Sequence, residues 1–371
     1  MTFLGIGQRP PSRTRHVYRR IWDTNMQDPT DERRYLTTSW ADTHHGRSVF
    51  HFPVLDAIVS EASQGGRPVA YCFGHRPTWV SDEAYLDEWG EFVTALVRRY
   101  RGRITAYGLW NEPNNRGSSL ELSGRTLAGM AAIAYPIIKA NDPGALVLSP
   151  EYNNNGAKDF DEFCQYGGSA HFDALTVHLY CDPGYGVPAR QGGLFEMMAA
   201  FRKVAERYGS ADRPIWNTEF SGRIAAAAFP GSPAEGERDF IGQMYPLMWS
   251  LGIEKGFWYA EDSDVTGLLR TTPLSRESNV AGLAWESIQD WLVGATQAGP
   301  LMIKRNAVFQ FDIQRPGGYR GRIAWHYKGR STLLVPRSPF RQMRSLEGKA
   351  GPLPPDGLVP LSNCPVLIES T

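Results

Sequence analysis

Over residues 1–298 the chain alternates short, continuously apolar, β-prone runs with segments of helical period, and this alternation constrains the fold more than any other feature. The strand-like runs are 2–7, 16–23, 68–74, 104–111, 145–150, 174–180, 214–220 and 255–261. A strand that is apolar along its whole length is covered on both faces, as in a parallel sheet flanked by helices. The intervening segments supply those helices. In 83–100, Leu86, Trp89, Phe92, Val93, Leu96, Val97 and Tyr100 share one helical face, and Phe195, Met198, Phe201, Val204 and Tyr208 repeat the pattern in 194–208. A helix over 122–140 stops at Asn141-Asp142-Pro143, and others are predicted at 54–62, 238–251 and 280–292. Repeated strand–helix units of this number predict an α/β fold, a closed (β/α)8 TIM barrel in preference to a doubly wound sheet. The first unit is the exception. Pro10 and Pro11 leave no room for a full helix, so a loop or a truncated helix is predicted there.

The pattern changes at residues 299–371, where short strands at 307–314, 321–327, 331–336 and 365–368 are joined by Pro- and Gly-rich turns. They predict a small, antiparallel, β-sandwich-like domain packed on the barrel, with 352–360 a loop inside it. A chain of 371 residues suits this division into one large domain and one small one. Lys+Arg and Asp+Glu both number 39, so the basic excess of a nucleic-acid binder is missing, and the basic clusters at 13–20 and 337–344 are read as solvated loop faces. Cys72, Cys164, Cys181 and Cys364 lack CxxC spacing, which indicates neither a zinc site nor a disulfide framework. Cys72 lies in an apolar strand and is expected in the core. The sequence shows no apolar run of the roughly 18–20 residues that span a membrane, and no basic-then-apolar export signal at its start. The oligomeric state is left open, a monomer being compatible with everything above.

Barrel proteins carry reactive groups at the C-terminal ends of their strands. The fourth run ends Leu109-Trp110-Asn111-Glu112-Pro113-Asn114 and the seventh ends Ile215-Trp216-Asn217-Thr218-Glu219-Phe220, so each delivers a carboxylate to the same rim. A single Glu after a strand is ordinarily a solvated rim residue. Two at matching strand ends, each preceded by Trp and Asn, suit chemistry that needs a carboxylate pair. Breaking a glycosidic bond is such chemistry, because one group protonates the leaving oxygen while the other stabilises or attacks an oxocarbenium-like centre. The two environments must then differ enough to keep one carboxyl protonated and its partner ionised.

These motifs, together with Arg20-Ile21-Trp22-Asp23, Arg76-Pro77-Thr78-Trp79, Arg99-Tyr100-Arg101-Gly102-Arg103-Ile104, His178-Leu179-Tyr180 and Phe257-Trp258-Tyr259, resemble those of clan A glycoside hydrolases. The set is most similar to family 39, in its bacterial branch acting on exopolysaccharides, and the likeness extends to the closing Pro365-Val366-Leu367-Ile368-Glu369. The resemblance implies a retaining hydrolase of polysaccharide or oligosaccharide, endo-acting and periplasmic or secreted; no cofactor or metal is expected. It further implies that Glu112 is proton donor and then base, and that Glu219 is the covalent nucleophile. An exo-acting β-glycosidase such as a β-xylosidase, a transglycosylase and a non-catalytic polysaccharide-binding barrel are the alternatives.

Supporting roles follow from position. Asn111 can donate to a sugar 2-hydroxyl, and His178 and Tyr180 can hold carboxylate oxygens or hydroxyls. Arg20 can face Glu219; Arg19, adjacent on the strand, would then point the other way. Trp79 and Trp258 are expected to stack on sugar rings, whereas Trp110 and Trp216 are expected to point away from the cleft and pack. The segment 24–52 should overhang the rim, bringing Trp40 to the substrate along with His44, His45 and His51, whose spacing matches no closed zinc motif. The loop 181–190, with Asp182 and Tyr185, and the acidic stretch 261–264 lie at the same rim.

Overall fold

The computed structural model describes residues 2–6, 18–22, 50, 52–74, 85–118, 121–181, 193–222, 233–259, 269–271, 276–304, 307–327 and 329–370. The segment 7–17, where the first helix was expected to be missing, lies outside them, as do Trp40, Trp79, the three histidines of 24–52 and the loops 182–192 and 260–268.

The barrel wall is built from β1 (Thr2–Ile6), β2 (Tyr18–Trp22), β3 (Val69–Cys72), β4 (Ile104–Gly108), β5 (Leu146–Leu148), β6 (Tyr152–Asn153), β7 (Leu175–His178), β8 (Ile215–Phe220) and β9 (Ile253–Tyr259). They form one parallel sheet in the order β5-β4-β3-β2-β1-β9-β8-β7-β6. β5 and β6 are two halves of one wall strand. The first pairs with β4 and the second with β7, and a bridge from Leu148 to Ala174 closes the ring. Between the halves stands Pro150, which has no N–H to give to a ladder. Counted this way the wall has eight strands, and the fold is the (β/α)8 barrel.

Helices α1 (Pro53–Gln64), α2 (Tyr85–Tyr100), α3 (Gly124–Asn141), α4 (Ala157–Gln165), α5 (Leu194–Arg207), α6 (Pro233–Ser250) and α7 (Val280–Leu292) alternate with the strands. The Ser123 side chain caps α3 by accepting from Thr126 N–H, where the predicted helix begins. α4 was not predicted; it has nine residues, and only Phe160, Phe163 and Cys164 mark its buried face. So short a stripe gives too few repeats for a period to show. Ahead of α7, β10 (Leu269–Thr271) and β11 (Arg276–Ser278) form a separate antiparallel pair.

Two cores result. The outer one fills the space between wall and helices. The inner one is a layer of Tyr18, Ala70, Ala106, Leu148, Ala174, Trp216 and Phe257, in which small residues across the barrel make room for three large rings. Trp216 packs, as expected, but toward the barrel axis instead of outward, with its ring 5.9 Å from that of Tyr18. The cause is a bulge in β8. Against β7, Val177 pairs with Asn217 but His178 with Glu219; against β9, Asn217 pairs with Gly256 and Phe220 with Trp258. The extra residue lets Trp216 and Glu219, three apart, both face inward, while Asn217 meets Met248 on α6 and Phe220 meets Phe240. Trp110 behaves as expected, packing edge-on against Trp89 in the outer core. Cys72 is buried on β3, also as expected.

After α7 the chain enters an antiparallel sheet of β12 (Thr296–Gln297), β13 (Met302–Ile303), β14 (Val308–Arg315), β15 (Tyr319–His326), β17 (Gln342–Ser345), β18 (Ala350–Pro352) and β20 (Val366–Glu369). A smaller pair, β16 (Ser331–Leu334) and β19 (Leu358–Leu361), covers it over a core that includes Val308, Leu333, Phe340, Val359 and Ile368. The opposite face joins the barrel core, where Phe311 lies against Trp249 and Gln243 Nε2 donates to the Asn363 carbonyl at 2.6 Å.

Candidate active site

The alternation of β2 sorts its two arginines. Arg19 turns outward, where its Nη1 binds Glu61 of α1 at 2.6 Å. Arg20 turns inward and is completely buried. Its guanidinium reaches Glu219 Oε2 at 3.0 Å through Nη1, and Asn111 Oδ1 at 2.8 Å and Glu151 through Nη2. Because the Asn111 oxygen accepts from Arg20, the amide nitrogen is the end left to donate elsewhere.

Glu112 follows β4 with φ at 42°, a left-handed conformation that a non-glycine residue adopts only under constraint. The constraint is visible. Its N–H donates to the Glu151 carbonyl at 2.9 Å, its own carbonyl accepts from Asn115 N–H at 3.0 Å, and Asn114 is tied to Asn153 at 2.7 Å. The Glu112 carboxylate meets His178 Nδ1 at 2.9 Å, and the same nitrogen lies 4.0 Å from Glu219 Oε2. On its other side, His178 Nε2 meets Glu151 at 2.9 Å. Tyr180 donates its hydroxyl to Glu219 Oε1, and its N–H is held by Asn154 Oδ1 at 2.9 Å. Arg20, Asn111, Glu112, His178, Tyr180 and Glu219, brought together from four strands, thus form one network. One oxygen of Glu112, one of Glu219 and a nitrogen of His178 lie within 4.8 Å of one another. Such a triad could in principle hold a cation, but both His178 nitrogens already face carboxylates and Arg20 brings fixed positive charge into the same space.

Burial alone would push the Glu112 carboxyl up; the hydrogen bond and charge of His178, with the charge of Arg20, outweigh it and hold the group below its ordinary value. Burial would likewise lower His178, yet Glu219 and the hydrogen bonds to Glu112 and Glu151 raise it to about 9. Glu151 is pushed up by burial but pulled down to about 2 by the charge of Arg20 and its bond to His178. The Tyr180 hydroxyl is raised, first by burial and then by Glu219, and stays protonated.

One expectation needs revision. Trp258 presents no ring face to a sugar: it is fully buried, edge-on to Phe220 at 5.6 Å and tilted against Phe240, because Phe257 fills the inner layer and strand alternation turns the next residue to the outer core. Sequence reasoning also overlooked Glu151. The signal was present, since Glu151 follows the fifth apolar run as Glu112 follows the fourth. Reading every strand end by one rule would have found it.

Among known structures, the fold is similar to that of a family 39 glycoside hydrolase from the gut symbiont Bacteroides cellulosilyticus WH2 (TM-score 0.74, 16% identity, covering 95% of this chain and 75% of that one). It is also similar to a monomeric beta-xylosidase from Caulobacter crescentus CB15 (TM-score 0.62, 16% identity, 95% and 89%) and to the catalytic domain of GH30 xylanase C from Talaromyces cellulolyticus (TM-score 0.61, 12% identity, 95% and 86%). Carboxylates gathered at the C-terminal rim of such a barrel suit glycoside hydrolysis. The chain belongs to the glycosyl hydrolase catalytic core family, whose model matches residues 83–285, more than half of its length.

Proposed function

We propose that this glycoside hydrolase acts with retention, Glu112 serving as acid/base and Glu219 as nucleophile. The observation that carries the proposal is the short separation of the two carboxylates, with facing oxygens inside 4.8 Å. Retaining enzymes hold the pair ~5–5.5 Å apart, whereas inverting enzymes leave ~6.5–9.5 Å for an intervening water.

Glu219 is oriented by one donor on each oxygen, Tyr180 and Arg20. Glu112 and His178 share one proton along their 2.9 Å contact. In the first step Glu219 attacks the anomeric carbon while that proton passes to the leaving oxygen through Glu112, giving a glycosyl ester and an unprotonated Glu112–His178 pair. Esterification also removes the Glu219 charge that helps hold a proton on His178. Glu112 then takes a proton from water as the hydroxide oxygen displaces Glu219, and the pair is again singly protonated. The Asn111 amide nitrogen is available to the sugar 2-hydroxyl, where a contact strengthens in the transition state.

Glu219→Ala should abolish turnover, and azide or formate should restore it with activated aryl glycosides. Full activity without rescue would remove Glu219 from its role, and an inverted anomer in the proton NMR spectrum of the first product would rule out retention. The motif likeness to exopolysaccharide hydrolases supports endo-action on a bacterial exopolysaccharide. Mass spectrometry of digests of purified polysaccharides checks this: a ladder of oligomers is expected, and release of single sugars would replace it with exo-action.

A further inference from the structure

Glu151 is a third carboxylate in the site, and the two-carboxylate mechanism leaves it unused. It is 1% exposed, and its backbone is locked to the strand that carries Glu112: Glu151 N–H donates to the Trp110 carbonyl at 2.8 Å, and the Glu151 carbonyl accepts from Glu112 N–H at 2.9 Å. Room for its side chain comes from Gly108, where a Cβ would collide with Glu151 Oε1 and press on Cys72 Sγ. Its Oε2 takes both Arg20 Nη2 and His178 Nε2. A buried carboxylate that takes an arginine and a histidine on one oxygen is a fixed part of the site rather than a stray rim residue.

We propose that Glu151 is a positioning residue for proton transfer. By accepting the Nε2–H of His178 it fixes the imidazole so that Nδ1 always faces Glu112, and its negative charge keeps the working proton on the Glu112–His178 pair. This rests on the retaining reading above. The charged and titratable groups facing this pair among the described residues are Arg20 from β2, Glu151 after β5, Tyr180 after β7 and Glu219 from β8, with Cys72 from β3 acting on Arg20. The protons balance. His178 keeps Nε2–H throughout, while the single proton between Nδ1 and Glu112 goes to the leaving group in the first half-reaction and returns from water in the second. Glu151 itself neither gains nor loses one, since Arg20 and His178 hold it at about 2 against the upward push of burial.

The test compares Glu151→Gln with Glu151→Asp in pH profiles of kcat/KM. Removing the negative charge should lower kcat and move the alkaline limb at least about one pH unit toward acid, because a like-sized charge at hydrogen-bond distance is worth that much even at high effective dielectric. Glu151→Asp keeps the charge, so its limb should stay within about half a unit of the parent while kcat falls through misplacement. Loss of kcat in both variants with neither limb moved would overturn the proposal in favour of a structural role. Imidazole 15N spectra of the unaltered protein give a check that needs no variant to fold, with His178 identified by difference against His178→Asn. Nε2 should stay protonated from pH 5 to 10 while Nδ1 titrates, and an unprotonated Nε2 at pH 10 would likewise overturn it. The azide rescue of Glu219→Ala separates the two levels. Failed rescue removes the retaining reading, whereas successful rescue with an unmoved limb removes only the role of Glu151.

Discussion

Raising the pH from 6.5 to 9 should destabilise this fold by an amount that His178 sets. The imidazole is fully buried and its pKa is raised from 6.5 to about 9, chiefly by Glu219 and by its bonds to Glu112 and Glu151 acting against desolvation. A group that binds its proton more tightly when folded adds stability that is complete below the unfolded pKa and is lost as pH rises through the folded one. Every tenfold gain in proton affinity on folding is worth about 1.4 kcal/mol, so the window from 6.5 to about 9 should cost about 3 kcal/mol. Glu112 and Glu151 are shifted downward and titrate below that window, and Cys164 and Cys364, pushed up to about 12 by burial, titrate above it. Glu237 does interfere, because burial raises it to about 8 and it too loses stability as pH rises, from its ordinary 4.5 upward. The measurement is therefore urea unfolding at fixed ionic strength in the Glu237→Gln protein, at half-unit steps of pH. A loss of about 3 kcal/mol between pH 6.5 and 9 is expected. A flat curve there would show that His178 does not carry its proton in the folded state, and the shared-proton account of the site would fall with it.

Glu237→Gln should itself stabilise the protein at pH 8–9 and change little at pH 4, the difference being read from unfolding midpoints against the unaltered chain. Glu112→Gln should slow substrates with poor leaving groups far more than aryl glycosides; equal losses on both would argue against proton donation. Tyr180→Phe removes one donor to Glu219 and should lower kcat/KM ~10–100-fold, as expected for one hydrogen bond to a charged group. Gly108→Ala should destabilise the fold by about 1–3 kcal/mol and impair catalysis together, because its Cβ displaces Glu151, and an unchanged thermal midpoint would contradict that packing.

The alternation of apolar runs with amphipathic helices by itself determined the (β/α)8 barrel, because a strand covered on both faces has few other homes. Position at strand ends likewise picked out Arg20, Asn111, Glu112, His178, Tyr180 and Glu219, which the structure gathers into one network. Parity was less reliable. Counting by twos from Glu219 turned Trp216 outward, and only the bulge in β8, invisible as composition, puts both residues inside. The same bulge makes Phe220 the partner of Trp258, whose ring the sequence had offered to a sugar. Glu151 was legible as a strand-end carboxylate, but its partners come from 131 and 27 residues away, through Arg20 and His178. Local pattern fixes which element a residue belongs to, because periodicity is a property of neighbours. Which charges meet in the buried site is decided by barrel closure, and that is a property of the whole chain.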